Sequence, residues 1–260
     1  MPVVRLALSV VLALLVAACG STDPAAETSP SAPASAESGV AGVERSTIVA
    51  RTCRPGSEQP LGDDRRAFAA VAGRGATAFR APGGKRLARF AAENVNRFPT
   101  VFGVLAKRVD ERCRATWYRV QLPLRPNGAT GWVRATEVEL APVTTRIVVD
   151  LSERRVTLFD GGRVVHTARA AIGSAATPTP RGRYYVNQRL VPRDRGGPFG
   201  PGAIGISAFS PVLTGWAQGG PVAIHGTNRP GLIGQAISNG CIRVANDDLL
   251  ALWDLSLIHI

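Results

Sequence analysis

The stretch Thr145–His166, TRIVVDLSERRVTLFDGGRVVH, decides how the C-terminal half of this chain is read. Apolar side chains alternate with polar ones through Arg146–Leu151, Arg155–Phe159 and Arg163–His166. Ser152-Glu153-Arg154 and Asp160-Gly161-Gly162 interrupt them. A period of two bounded by turn residues predicts two successive β-hairpins. Ala171-Ile172-Gly173, the proline-rich run Thr177–Gly182 and an expected aromatic strand, Arg183-Tyr184-Tyr185-Val186, come next. Near the end, Asn246–Trp253 offers an N-cap residue, an acidic first turn and an apolar face. It predicts a short helix packing Leu249, Leu252 and Trp253 on a sheet.

Composition agrees with a mainly β protein. Of 260 residues 28 are Gly and 19 Pro, and aromatics make up only 6%, so short strands and turns are favoured over long helices. The net charge of +12 concentrates between residues 47 and 142, and all basic residues except Lys85 and Lys107 are arginine. That bias follows from a GC-rich genome and calls for no nucleic acid partner. Cys19, Cys53, Cys113 and Cys241 lie far apart, without the paired spacing of a zinc site, so neither metal nor cofactor is expected.

Residues 1–18 contain one charge, Arg5, and then an apolar run from Leu6 to Ala18, too short to span a bilayer and suited to a signal peptide. The sequence Leu15-Val16-Ala17-Ala18-Cys19 resembles a bacterial lipoprotein box, which implies cleavage before Cys19 and its lipidation. Acyl chains on Cys19 would anchor the protein at the outer face of the cytoplasmic membrane or in the periplasm. Residues 19–46 are rich in Ser, Ala, Pro and Glu and read as a disordered tether with a reach of about 30 Å. In an exported chain Cys53 and Cys113 are expected to pair as a disulfide.

Residues 47–142 show short apolar runs, among them Thr100–Leu105 and Trp117–Leu122, with an Asn127-Gly128 turn. The stretch WYRVQLPLRPNGATGWVRATEVEL resembles the end of a bacterial SH3-like domain, and a small β-barrel is expected.

Two further motifs carry chemistry. Ile224-His225-Gly226-Thr227 is followed, sixteen positions after the histidine, by Cys241 within Ile237-Ser238-Asn239-Gly240-Cys241-Ile242-Arg243. A thiol needs a base to become a nucleophile, and imidazole suits that work near neutral pH. Amides around the Asn239-Gly240-Cys241 turn could face an oxyanion. His166 stands apart from these motifs and reads as structural.

The ordered series IVVDLSERRVTLFDGGRVV, IG, TPTPRGRYYV, IHG and ISNGCIR resembles the YkuD-type L,D-transpeptidase catalytic domain, with Asn239 where the more typical motif has histidine. The resemblance implies a β-sandwich with a short helix over residues 143–254, Cys241 as nucleophile and His225 as base. It also implies that the Gly226 carbonyl orients His225, that the amides of Gly240 and Cys241 form the oxyanion site, and that Ser238 fixes the loop. Arg243 would hold a carboxylate of a peptidoglycan stem peptide. Carbapenem-type β-lactams are the implied covalent inhibitors. The same acyl-enzyme could pass to an amine, forming a cross-link, or to water, as in an L,D-carboxypeptidase or endopeptidase. With Asn239 in the motif, a catalytically weak wall-binding lipoprotein is a third reading. Family domains usually continue beyond the helix, so a C-terminal truncation is expected. Residues 255–260, LSLIHI, correspond to CTG TCT CTT ATA CAC ATC, a transposon end used in sequencing libraries, and are expected to be an artefact.

Overall fold

A computed structural model describes residues 53–255. The signal peptide, Cys19, the tether and residues 256–260 lie outside the described residues.

The first eight strands are β1 (Glu58–Pro60), β2 (Ala67–Val71), β3 (Ala76–Phe79), β4 (Arg86–Phe90), β5 (Val101–Val109), β6 (Ala115–Gln121), β7 (Thr130–Arg134) and β8 (Glu139–Val143). They form one sheet in the order β4-β3-β7-β6-β5-β2-β8, with β1 also on β5. The outer strands β4 and β8 do not pair with each other, so the expected barrel is replaced by an open path. Along that path β3 meets β7 at the single pair Phe79 and Trp132, the β5–β6 register shifts twice, and β4 and β8 each pair on one side only, with β3 and β2. Phe102, Val120, Val133 and small alanines fill this sheet's core, and Cys53 and Cys113 are disulfide-bonded.

The remaining strands build two main sheets around one core and a two-stranded ladder. Strands β9 (Thr145–Asp150), β10 (Arg155–Asp160) and β11 (Arg163–Arg169) make an antiparallel sheet in the order β11-β10-β9. The Asp150 carboxylate closes the first hairpin by accepting from the Ser152 and Glu153 amides, and Gly161 and Gly162 turn the second with positive φ. Strands β12 (Ile172–Gly173) and β16 (Ala236–Ser238) pair in parallel. The second main sheet runs β13 (Val186–Leu190), β14 (Ala203–Phe209), β15 (Pro221–His225) and β17 (Ile242–Arg243), with β17 parallel to β15. Val156 and Leu158 of β10 meet Ile204, Val222, Ile224 and Ile242 in a sealed core, each fully buried aliphatic side chain contributing about 2 kcal/mol.

Helix α1 (Asn246–Leu255) closes this core with Leu249 and Leu252, both fully buried. His166 on β11 lies 2.9 Å from Asp248 of α1, so its role is to tie helix to sheet. The aromatic strand expected at 183–186 starts only at Val186. Tyr184 donates its hydroxyl to the Arg181 carbonyl, and the Tyr185 amide donates to Ser207 Oγ instead of to a strand partner.

The open sheet and the sandwich share hydrogen bonds. Asn127 donates from Nδ2 to the Phe209 carbonyl at 2.8 Å and accepts from the Phe209 amide at 2.9 Å. Arg125 donates to the Ser210 and Gly219 carbonyls. The Asn127-Gly128 turn read as a hairpin signal thus also grips the end of β14.

Candidate active site

Strands β15 and β17 bring the two motifs together. Their parallel register sets Ile224 beside Ile242 and His225 beside Arg243. Ile224 and Ile242 are both in the core, so their sequence neighbours point to the opposite face. His225 and Arg243 therefore lie side by side there. Two positions back along each strand, Cys241 comes beside Ala223 and hydrogen-bonds its backbone.

The histidine is fixed by its own turn. Nδ1 of His225 lies 2.6 Å from the Gly226 carbonyl oxygen. A carbonyl only accepts, so Nδ1 carries the proton and Nε2 keeps its lone pair. Burial pushes the imidazole pKa down to about 4; Arg243 adds to this and the Gly226 carbonyl opposes it. The imidazole is thus a neutral base at pH 7. Burial likewise pushes the Cys241 thiol up, opposed by the hydrogen bond from the Ala223 backbone and the positive charge of Arg243. The resting pair is thiol and neutral imidazole. A thiolate forming on attack gains from Ala223 and from Arg243, whose Nε is buried without a hydrogen-bond partner.

The cysteine loop is braced from inside. Ser238 is buried; its hydroxyl donates to the Cys241 carbonyl and its oxygen accepts from the Gly240 amide at 3.2 Å. The Gly240 amide is thereby engaged within the loop. The Cys241 amide makes no described hydrogen bond and so stays open to an acceptor. The left-handed conformation falls on Gly240 (φ +109°) and not on Asn239, which is exposed and whose side chain makes no described hydrogen bond.

Three contributors are not evident from the motifs. Thr177 Oγ1 and the Ser174 amide both donate to the Ser238 carbonyl, so the proline-rich run supports the cysteine loop. Asn246, read as a helix cap, instead accepts from the Thr227 amide at 2.8 Å and holds the segment after His225. Phe199 lays its ring over the imidazole, the centroids 4.8 Å apart. Spacing could have flagged the Thr/Ser run; nothing in the sequence marks Phe199, which lies 26 positions before His225 in a glycine-proline loop.

The region holding this geometry, residues 144–258, matches the YkuD family, described as an L,D-transpeptidase catalytic domain. The domain is 38% identical over 107 residues to YkuD of Bacillus licheniformis and 37% over 106 residues to YkuD of Bacillus subtilis. Each match covers 41% of this chain and 57% of the relative, so the chain spans little more than half the length of the curated relatives it matches. Among solved structures, an L,D-transpeptidase from Mycobacterium smegmatis is similar at 18% identity and a TM-score of 0.35, covering 60% of this chain and 85% of that one. An L,D-transpeptidase solved in complex with imipenem is similar at 17% identity and a TM-score of 0.36, covering 59% and 85%.

Proposed function

We propose that this chain is an exported, lipid-anchored L,D-transpeptidase that cross-links peptidoglycan through a thioester on Cys241. The observation that carries the reading is the fixed tautomer of His225, whose free Nε2 shares a sheet face with a thiol flanked by Arg243.

In this reading Nε2 of His225 accepts the Cys241 proton as sulfur attacks the carbonyl on the L side of an L,D-peptide bond in a stem peptide. The Cys241 amide donates to the resulting oxyanion. As the C–N bond breaks, imidazolium returns the proton to the departing D-residue's amine and a thioester remains. An amine of a second stem attacks that thioester, His225 takes the amine's proton, and collapse forms the cross-link and regenerates the thiol. Arg243 offers its guanidinium to a substrate carboxylate. A β-lactam, whose strained amide is an acyl donor of the same kind, would acylate the same sulfur.

Location rests on residues 1–46, where the apolar run and lipoprotein-like box support export and lipidation at Cys19. The SH3-like likeness of residues 117–140 supports a wall-facing accessory role for the open sheet. The test is product analysis of purified muropeptides treated with the full chain: dimers with an L,D linkage support transpeptidation, and trimmed monomers alone refute it in favour of hydrolysis.

A further inference from the structure

We propose that Phe199 is a positioning residue for His225, a cap over the imidazole face that holds the ring in the plane set by Gly226 and keeps water from it. The proposal rests on the reading of His225 as the base.

The cover over the imidazole includes an exposed aromatic ring. His225 is only 3% exposed, whereas Phe199, tilted 54° across it, is 47% exposed. A large apolar side chain so open to solvent and in contact with one buried polar ring gains little as core packing; it acts as a cover. Its loop is built to bring it there. The Gly197 amide donates to the Asp194 carbonyl and the Gly200 amide to the Gly197 carbonyl, two successive turns of which the second carries Phe199. Gly200 has φ +60°, and a Cβ there would fall 2.3 Å from Asn246 Oδ1 and 2.8 Å from the Thr227 nitrogen. Only glycine lets the loop approach so closely. Asn246 thus sits against the Phe199 loop while accepting from Thr227, and one amide seats both the cap and the segment after the base.

The charged and titratable groups facing the imidazole are Arg243 on β17 and the Cys241 thiol just before it. The segment Gly196–Gly202, which carries the cap, contains no ionisable side chain. Phe199 therefore acts by excluding water and by contact, not by charge. Without it the imidazole gains solvent, its charged form becomes easier to reach, and the ring is free to turn Nε2 from the thiol.

The experiment compares Phe199→Ala and Phe199→Tyr in the full chain. NMR titration of the His225 ring in a Cys241→Ala background reads the base without any turnover, and carbapenem acylation of the cysteine-containing forms reads its use. For Phe199→Ala the expected results are a protonation midpoint raised by about one pH unit or more and acylation at pH 5 reduced by about twofold or more. Phe199→Tyr, which keeps the ring, retains the parent midpoint. An unmoved midpoint in folded Phe199→Ala, or a Phe199→Tyr that behaves as the alanine form does, overturns the proposal. A shifted NMR midpoint in a parent chain that forms no acyl-enzyme sustains the cap and refutes the catalytic reading beneath it.

Discussion

Acid tolerance of the base is the sharpest consequence of the site. His225 holds its neutral form because burial and Arg243 push its pKa down to about 4, from an ordinary 6.5. At pH 5 an ordinary histidine is neutral in only about 3% of molecules, whereas a group titrating near 4 is neutral in about 90%. If acylation requires neutral His225, kcat/KM at pH 5 stands about 30-fold above that of an unperturbed base. The assay is the second-order rate of carbapenem acylation, followed by intact mass from pH 3.5 to 7.5. The profile is expected to stay flat on the acid side to about pH 5 and to halve near pH 4. Arg243→Gln removes one of the two downward influences and moves that midpoint up. An acid midpoint near 6.5 in the parent would refute the reasoning. The same shift carries a stability sign. The folded pKa lies below the unfolded one, so between pH 6.5 and 4 the unfolded chain binds the extra proton. Acidification through that window should remove about 3 kcal/mol of stability, and the loss should vanish in His225→Gln.

Other consequences are structural. Reducing the Cys53–Cys113 bond, or replacing both by serine, opens a constraint spanning 60 residues and should lower unfolding free energy in urea by about 4 kcal/mol while sparing acylation at Cys241. Asn246→Ala leaves the Thr227 amide without its acceptor; it should cost about 1–2 kcal/mol and lower acylation kcat/KM by about tenfold without affecting the disulfide. Asn127→Ala strands both backbone groups of Phe209 and should speed hydrogen exchange at that amide well before global unfolding.

The parts of this molecule that were legible in its sequence are those governed by local rules. Alternation through Thr145–His166 with turn residues at Ser152-Glu153-Arg154 and Asp160-Gly161-Gly162 led directly to the three-stranded sheet, because period and turn chemistry act within a few residues. Side-chain competition was not legible. Ser207 draws the Tyr185 amide out of strand pairing, and Asn246 leaves its helix terminus for Thr227; either alternative is visible only once distant segments meet. The open path of the first sheet lies in its edges β4 and β8 staying unpaired with each other, which no run of residues announces. In the site, Cys241, His225, Gly226 and Arg243 are brought into one neighbourhood; the Cys241 and His225 pair was flagged by residue chemistry and spacing, and Gly226 and Arg243 only through the resemblance. That Ser238 Oγ takes the Gly240 amide, and that the Phe199 ring lies over His225, depend on which hydroxyl or ring comes nearest in three dimensions.

The most direct test of the account is the intact mass of the full chain after brief exposure to a tetrapeptide stem substrate. The account predicts one added acyl group, mapped to Cys241, that disappears in Cys241→Ala and is discharged when an acceptor stem amine is supplied. An adduct that survives Cys241→Ala, or maps to any other residue, would contradict it.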